Sequence, residues 1–372
     1  MDARAVAPLI EALKDADDDV VLSAFQALIK IGVPSIQPLI DYVKENGPYM
    51  YASSTLIEIG SPSVDPLIAT LQDKDPIVRS WAIGTLNDIH DARAIDPLIL
   101  MLADDDADVR NNAITAVEGY GPPGVDDLIS ALSNENPKIR FGAARALAFS
   151  RDPRAREPLA AALNDPVFEV WFEAAMTLSY YNDARAVEPL INAMQNADPN
   201  IRSRAAAGFV WTADPRAVDA LVIALKDGDS EVRKEAARAL GYQGDTRAIE
   251  PLLAVVKSGD LDEVQQAAVV SLLSYGESAV ERLSAALDND QGLKLVAETY
   301  GAFLGKRVEG TETILIKSLN QYGDANMATG FLNSGNSLLA GAGSKWAGEH
   351  GYTVQWVKDN THTAPVQWGP NQ

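Results

Sequence analysis

Few side chains in this sequence could carry out chemistry. Its three histidines, His90, His350 and His362, are the only imidazoles, and none is followed by glutamate. Cysteine is absent, which excludes disulfides, thiolate zinc sites, iron–sulfur clusters and cysteine nucleophiles within the chain. The acidic runs "DADDD" at 15–19 and "DDDAD" at 104–108 have the charge to attract calcium. They lack the glycine and terminal glutamate that a calcium loop needs at fixed spacing, and they read as helix N-caps. Gly305-Lys306 in "GAFLGKRVEG" has neither the spacing nor the following Ser or Thr of a phosphate loop. No Gly-x-Ser-x-Gly elbow occurs, and no pair of carboxylates stands out from an acidic background. The residues show no catalytic signature, and no cofactor or metal is expected.

The chemistry that remains is recognition. Phe141, Arg145, Phe149, Trp171, Phe172, Met176, Tyr180, Arg204, Trp211, Arg238 and Tyr242 crowd into one stretch of an otherwise acidic chain. Trp, Tyr and Arg dominate binding hot spots, because they bury large areas at small cost in conformational freedom. These eleven residues are the candidate partner-binding set.

The elements that would position them form a repeat. Segments such as "APLIEALKD", "DPLIATLQD", "EPLINAMQN" and "EPLLAVVKS" recur with prolines at 8, 38, 66, 97, 158, 189 and 251. Asp127, Ala220 and Arg282 fill the same slot in other units. The period is 30 to 31 residues, once 28, and ten units reach residue 305. Each unit reads as two helices. The first has apolar residues at helical spacing, as in Ile95, Leu98, Ile99 and Leu102, with proline in its first turn. The second follows an Asp- or Asn-rich turn and runs Val-Arg-x-x-Ala-Ala-x-Ala-Leu. The paired alanines allow close helix approach. The arginines of this motif (Arg79, Arg110, Arg140, Arg202, Arg233) and those of the turns Asp-x-Arg-Ala recur too regularly to mark a site. They are expected to bridge to acids of adjacent turns. No single pair buries its own apolar face, so stability must come from stacking.

The pattern "DxRAVEPLIxAL…DxxVRxxAAxALG" resembles HEAT-like repeats of the phycobilisome-lyase type, and designed proteins built on that consensus, over most of the chain. The resemblance implies an all-α fold: a right-handed α-solenoid of about ten HEAT-like helix pairs with a C-terminal helical cap. The boundaries are repeats over 1–305, a cap over 306–352 and an extended arm over 353–372. Proteins with such repeats include bilin lyases, a di-iron hydroxylase and many adaptors. The hydroxylase uses His-Glu pairs, which this chain lacks, so two-iron chemistry is excluded. No specific marker of bilin handling occurs. A tetrapyrrole lyase or cofactor-insertion chaperone stands as the alternative to a non-enzymatic protein-interaction module.

In HEAT-like arrays the second helices line the concave groove, so the resemblance places the aromatic and arginine set there. One unit, "NDPVFEVWFEAAMTLSYYNDARAVEPL", replaces the repeated arginine by Trp171 followed by Phe172. Tyr181 takes a slot usually held by Ile and is expected in the core. In "ENGPYMYASSTL", Pro48 and Tyr49 replace Val-Arg, which predicts a local kink with Tyr49 and Tyr51 as secondary contacts.

The formal net charge of −21 and pI near 4.5 disfavour nucleic acid and anionic membranes as partners. No apolar run reaches about 18 residues and no signal peptide is visible, so a cytoplasmic location and another protein as partner are expected. Hydrophobic residues make up 47 %, enough for an extensive core. The first unit's flank carries Ala5, Leu9 and Leu13 and is expected to be open. Past residue 305 three helices are expected, the last with Leu338, Leu339, Ala342, Trp346 and Ala347 on one face. Trp356 and Trp368 then fall in a strand-like or extended arm.

Overall fold

The computed structural model describes residues 3–258, 263–356 and 366–370. Among these residues the chain is all-α apart from one hairpin, and its helices come in stacked pairs. It divides into two compact units, Met1–Tyr181 and Asn182–Gln372. The first holds α1 (Val6–Ala12) with α2 (Asp18–Ile31), α3 (Ile36–Asn46) with α4 (Met50–Ile59), and α5 (Val64–Thr70) with α6 (Pro76–Ile89). It continues through α7 (Ile95–Leu100) with α8 (Ala107–Gly119), α9 (Pro122–Ala131) with α10 (Pro137–Ser150), and α11 (Arg156–Ala162) with α12 (Phe168–Tyr180). The second holds α13 (Val187–Ala193) with α14 (Pro199–Gly208), α15 (Ala217–Ala224) with α16 (Ser230–Gln243), α17 (Ile249–Val256) with α18 (Glu263–Leu272), and α19 (Glu277–Leu287) with α20 (Asp290–Lys306). The periodicity therefore gives the α-solenoid architecture expected of it.

Local chemistry sets the helix boundaries. Several second helices start where an Asp or Asn side chain accepts a backbone N–H: Asp75 from Ile77, Asn136 from Lys138, Asp198 from Asn200, Asp229 from Glu231 and Val232. Proline stands in the first turn of several, where its missing N–H costs nothing. The Asp-x-Arg-Ala turns close as single 3-10 turns, with Asp91, Asp152, Asp183 and Asp245 accepting from the N–H two residues on. The alanine pairs 143/144, 174/175, 205/206 and 236/237 have no exposed surface, as close helix contact requires. Gly142 serves the same purpose: a Cβ there would lie 2.7 Å from Leu102 Cβ.

In the unit "ENGPYMYASSTL", Tyr49 takes the arginine slot and donates its hydroxyl to the Leu13 carbonyl. Its ring packs against Tyr42 and Tyr51, so it ties the first two pairs together. Leu13 itself is buried, contrary to the expected open flank, while Ala5 is exposed. Beyond α20, three further helices follow, α21 (Glu312–Tyr322), α22 (Ala325–Leu332) and α23 (Ser337–Glu349). On α23, Leu339, Trp346 and Ala347 are buried, but Leu338 points to solvent, one position off the packed stripe. Strands β1 (Tyr352–Trp356) and β2 (Val366–Pro370) pair antiparallel, with Trp356 opposite Val366 and Trp368 opposite Val354.

Candidate partner-binding surface

The recurring arginines are framework. In three repeats the guanidinium grips an aspartate of the next repeat through Nε and Nη2: Arg79 with Asp104 at 2.8 and 2.6 Å, Arg140 with Asp165 at 2.6 and 3.0 Å, Arg202 with Asp227 at 2.8 and 2.8 Å. The remaining nitrogen, Nη1, donates to two carbonyls of the turn leading into its own helix, as Arg140 does to Asn134 and Glu135. The Arg140 hydrogen bond holds the Asp165 carboxyl below its ordinary range, and Arg202 does the same for Asp227. The turn arginines clamp their own aspartate and reach back to the preceding repeat: Arg154 to Asp152 and Asp126, Arg247 to Asp245 and Asp219.

A second ladder runs through hydroxyls. Tyr120 donates to the Leu86 carbonyl, Tyr181 to that of Leu147 at 2.8 Å, and Tyr275 to that of Leu240. Gln243 takes this part in its repeat. Its Nε2 donates to the Phe209 and Thr212 carbonyls, and its Oε1 accepts from Asp214 N–H. Tyr181 is thus a buried staple, as the core slot implied.

The eleven candidate residues divide once placed. Phe172 and Met176 are buried, 2 % and 5 % exposed, so they pack and present nothing to a partner. This corrects their assignment to a groove surface. The reason is local: Phe168 stacks on Phe172 with ring centres 5.5 Å apart and meets Trp171 edge-on at 4.9 Å. Trp171 and Phe141 are half-buried. Arg238 is exposed but already pairs with Glu235 of its own helix at 2.8 Å, so it is not the uncommitted cation that its slot suggested. Arg145 and Arg204 are exposed.

Four aromatics remain at the surface: Phe149 (67 %), Tyr180 (40 %), Trp211 (52 %) and Tyr242 (61 %). Successive members are 31 residues apart, so all four occupy one repeat slot. In the first unit, Phe149 ends α10 and Tyr180 ends α12, and these helices pack side by side. In the second unit, Tyr242 is in the last turn of α16, which packs on α14. Trp211 lies just beyond α14, on the turn that Gln243 pins. Adjacent packed helices lie about 10 Å apart, which sets the scale of each aromatic pair. Phe168, outside the candidate set, is part of the ring cluster; its sequence signal is an aromatic in a slot that elsewhere holds Pro76, Pro137 or Pro199. Among the described residues no three His, Asp or Glu side chains converge as metal ligands.

A chain of stacked helix pairs at a 30- to 31-residue period, three of them clamped to the next by an arginine–aspartate pair, defines an α-solenoid repeat protein. The HEAT repeat family matches residues 49–118, 95–171, 158–230 and 218–299, more than half of the chain. The chain belongs to that family. No curated protein sequence matches it. Among solved structures, the karyopherin Kap121p bound to Nup53p is similar at 14 % identity and TM-score 0.60, over 94 % of this chain and 50 % of that one. The chain thus spans about half the length of Kap121p. An engineered protein matches at 21 % identity and TM-score 0.42, over 94 % of this chain and 98 % of that one. The CpcE–CpcF complex of phycocyanin lyase from Nostoc sp. matches at 21 % identity and TM-score 0.36, over 69 % of this chain and 96 % of that one. These likenesses concern the fold.

Proposed function

We propose that the chain is a protein-binding scaffold whose contact residues are the exposed aromatics at one repeat slot. The observation that carries this reading is the set Phe149, Tyr180, Trp211 and Tyr242, large rings held in water at a fixed period. A framework slot that needed only packing would bury its rings, as Tyr120 and Tyr181 are buried in the neighbouring slot. Exposed aromatics cost solubility, and in binding surfaces they return that cost as buried area. Arg145 on α10, one turn before Phe149, adds a cationic group suited to a carboxylate of a partner. Similarity to Kap121p, seen in complex with Nup53p, supports the fold's aptitude for holding protein segments.

The test is affinity capture from native extract with wild type beside a Phe149→Ala, Trp211→Ala, Tyr242→Ala variant. All three side chains are exposed, so the variant should keep the wild-type melting temperature. A partner bound by wild type and lost by the variant supports the reading. A partner bound equally by both refutes it.

A further inference from the structure

Two arginines of the framework lack the aspartate partner among the described residues: Arg110, for which the position two after Leu132 is Asn134, and Arg233. In the repeats of Arg79, Arg140 and Arg202, the clamped aspartate stands two residues after a leucine at the end of a first helix: Leu102 and Asp104, Leu163 and Asp165, Leu225 and Asp227. At the end of α17 the same position, two after Val256, is Ser258. The Ser258 hydroxyl turns back to the Val255 carbonyl at 2.8 Å. Arg233 keeps the other half of the pattern, with Nη1 donating to the Asp227 and Gly228 carbonyls at 2.8 and 3.2 Å. Its Nε and Nη2 make no ion pair among the described residues.

This guanidinium lines an open cleft of about 730 Å3. The walls are mainly aliphatic: Val222 and Leu225 of the α15 end, Pro251 and Val255 of α17, and Val264 of α18. Lys226 adds a second cation at the rim. The one carboxylate of the lining, Glu250, is engaged by Arg282. In a chain of net charge −21, the cleft therefore combines Lys226 and the Nε–Nη2 edge of Arg233, neither in an ion pair among the described residues, with an apolar floor.

We infer that this cleft binds an acidic–aliphatic peptide segment of a partner protein, with an aspartate side chain in the Arg233 fork and a preceding aliphatic side chain against Val222 and Val255. The chain itself shows the carboxylate half of this recognition three times, since the aspartate of a Leu-x-Asp turn fills the equivalent fork at Arg79, Arg140 and Arg202. Two parallel N–H···O bonds in a partly dry site are the strong form of carboxylate recognition. Arg233 lies nine residues before Tyr242 on α16, about 14 Å along the helix, so this site does not depend on the aromatic surface.

The probe is a blocked pentapeptide with the sequence of residues 225–229, Leu-Lys-Asp-Gly-Asp, titrated into the full chain and followed by NMR at the Arg233 Nε–H and the valine methyls. Saturable shifts of both are expected, with half-saturation on the order of 1 mM. The Asn-for-Asp peptide should bind roughly tenfold or more weakly, and so should the natural peptide to Arg233→Gln. Ser258→Asp rebuilds the internal clamp. It should abolish peptide binding while raising the melting temperature, a readout that misfolding cannot imitate. Trp211→Ala should leave peptide binding unchanged. Equal binding to wild type and Ser258→Asp overturns the inference, as does an unmoved Arg233 Nε–H at ten times that concentration. So does an Arg233 Nε–H that shifts in Asp260→Asn, Asp262→Asn without peptide, because the chain's own carboxylates would then fill the fork.

Discussion

Replacing Arg140 by alanine tests whether the clamps hold the repeats together. The Arg140 and Asp165 side chains are 13 % and 8 % exposed, so both charges are largely out of water. Arg140→Ala removes four hydrogen bonds, two to Asp165 and two to the Asn134 and Glu135 carbonyls. Asp165 keeps only the Val167 N–H at 2.9 Å. Stranding one partner of a buried pair costs roughly 3–5 kcal/mol, and the slight exposure here favours the lower end, about 3 kcal/mol. Asp165→Asn in the Arg140→Ala background removes the stranded charge. The double variant should therefore lose less than the sum of the singles, with a coupling of about 2 kcal/mol. The pH dependence has a definite sign. Arg140 lowers the folded-state pKa of Asp165, so the clamp's stability is present above the ordinary carboxylate range and is lost as pH falls through the lowered value. The penalty of Arg140→Ala should thus be largest near neutrality and shrink below about pH 4, where the stranded carboxyl takes a proton. Urea unfolding followed by circular dichroism at neutral and acid pH measures all three quantities. A loss below about 0.5 kcal/mol at neutral pH, or one that does not change on acidification, would refute the reasoning.

Three further outcomes are expected. Glu118 has a buried Oε1 without a hydrogen-bond partner among the described residues, and burial pushes its carboxyl up to about 7. Because its folded pKa is raised, stability falls as pH rises from its ordinary value to 7; Glu118→Gln should stabilise by about 2 kcal/mol at pH 8 and change little at pH 5, read from melting temperatures. Tyr181→Phe removes the bond to the Leu147 carbonyl and leaves that buried acceptor short, which should cost about 1–2 kcal/mol in urea unfolding. Gly142→Ala forces a Cβ to within 2.7 Å of Leu102 and should cost about 1–3 kcal/mol by the same assay.

The helix pairs are legible in the sequence because many of their boundaries are written in local chemistry. Asp75, Asn136 and Asp229 cap their own helices, and the alanine pairs mark the contact stripe. The structural part of the arginines is legible too, since only a framework repeats a charge at a fixed period. What a single slot presents to solvent is not legible. Phe141 and Phe172 share a slot 31 residues apart, yet Phe141 is half-buried and Phe172 is interior, because Phe168 stacks on the second ring alone. Met176 and Arg238 stand 62 residues apart, two periods, and there the side-chain type decides: the thioether packs and the guanidinium stays out. Trp211 keeps the period although its helix stops at Gly208, since Gln243 fixes the turn that carries it.

The substitution of Trp171 for arginine has an energetic account that requires no partner. The same turn also lacks a side-chain cap, because Val167 stands where other units have Asp75 or Asp229. A lost cap costs about 1 kcal/mol, and a lost guanidinium forgoes its bonds to the turn carbonyls. Against this, Phe168, Trp171 and Phe172 form three mutual ring contacts with centres 4.9 to 6.2 Å apart. Aromatic pairs contribute about 0.5–1.5 kcal/mol each beyond the area they bury, which is the same order as the loss. Polar closure of the turn has been exchanged for apolar closure at little net cost. The half-buried Trp171 ring is then explained by its own helix turn. The proposed contact set then rests on the exposed rings Phe149, Tyr180, Trp211 and Tyr242, which keep the fixed period of the repeat.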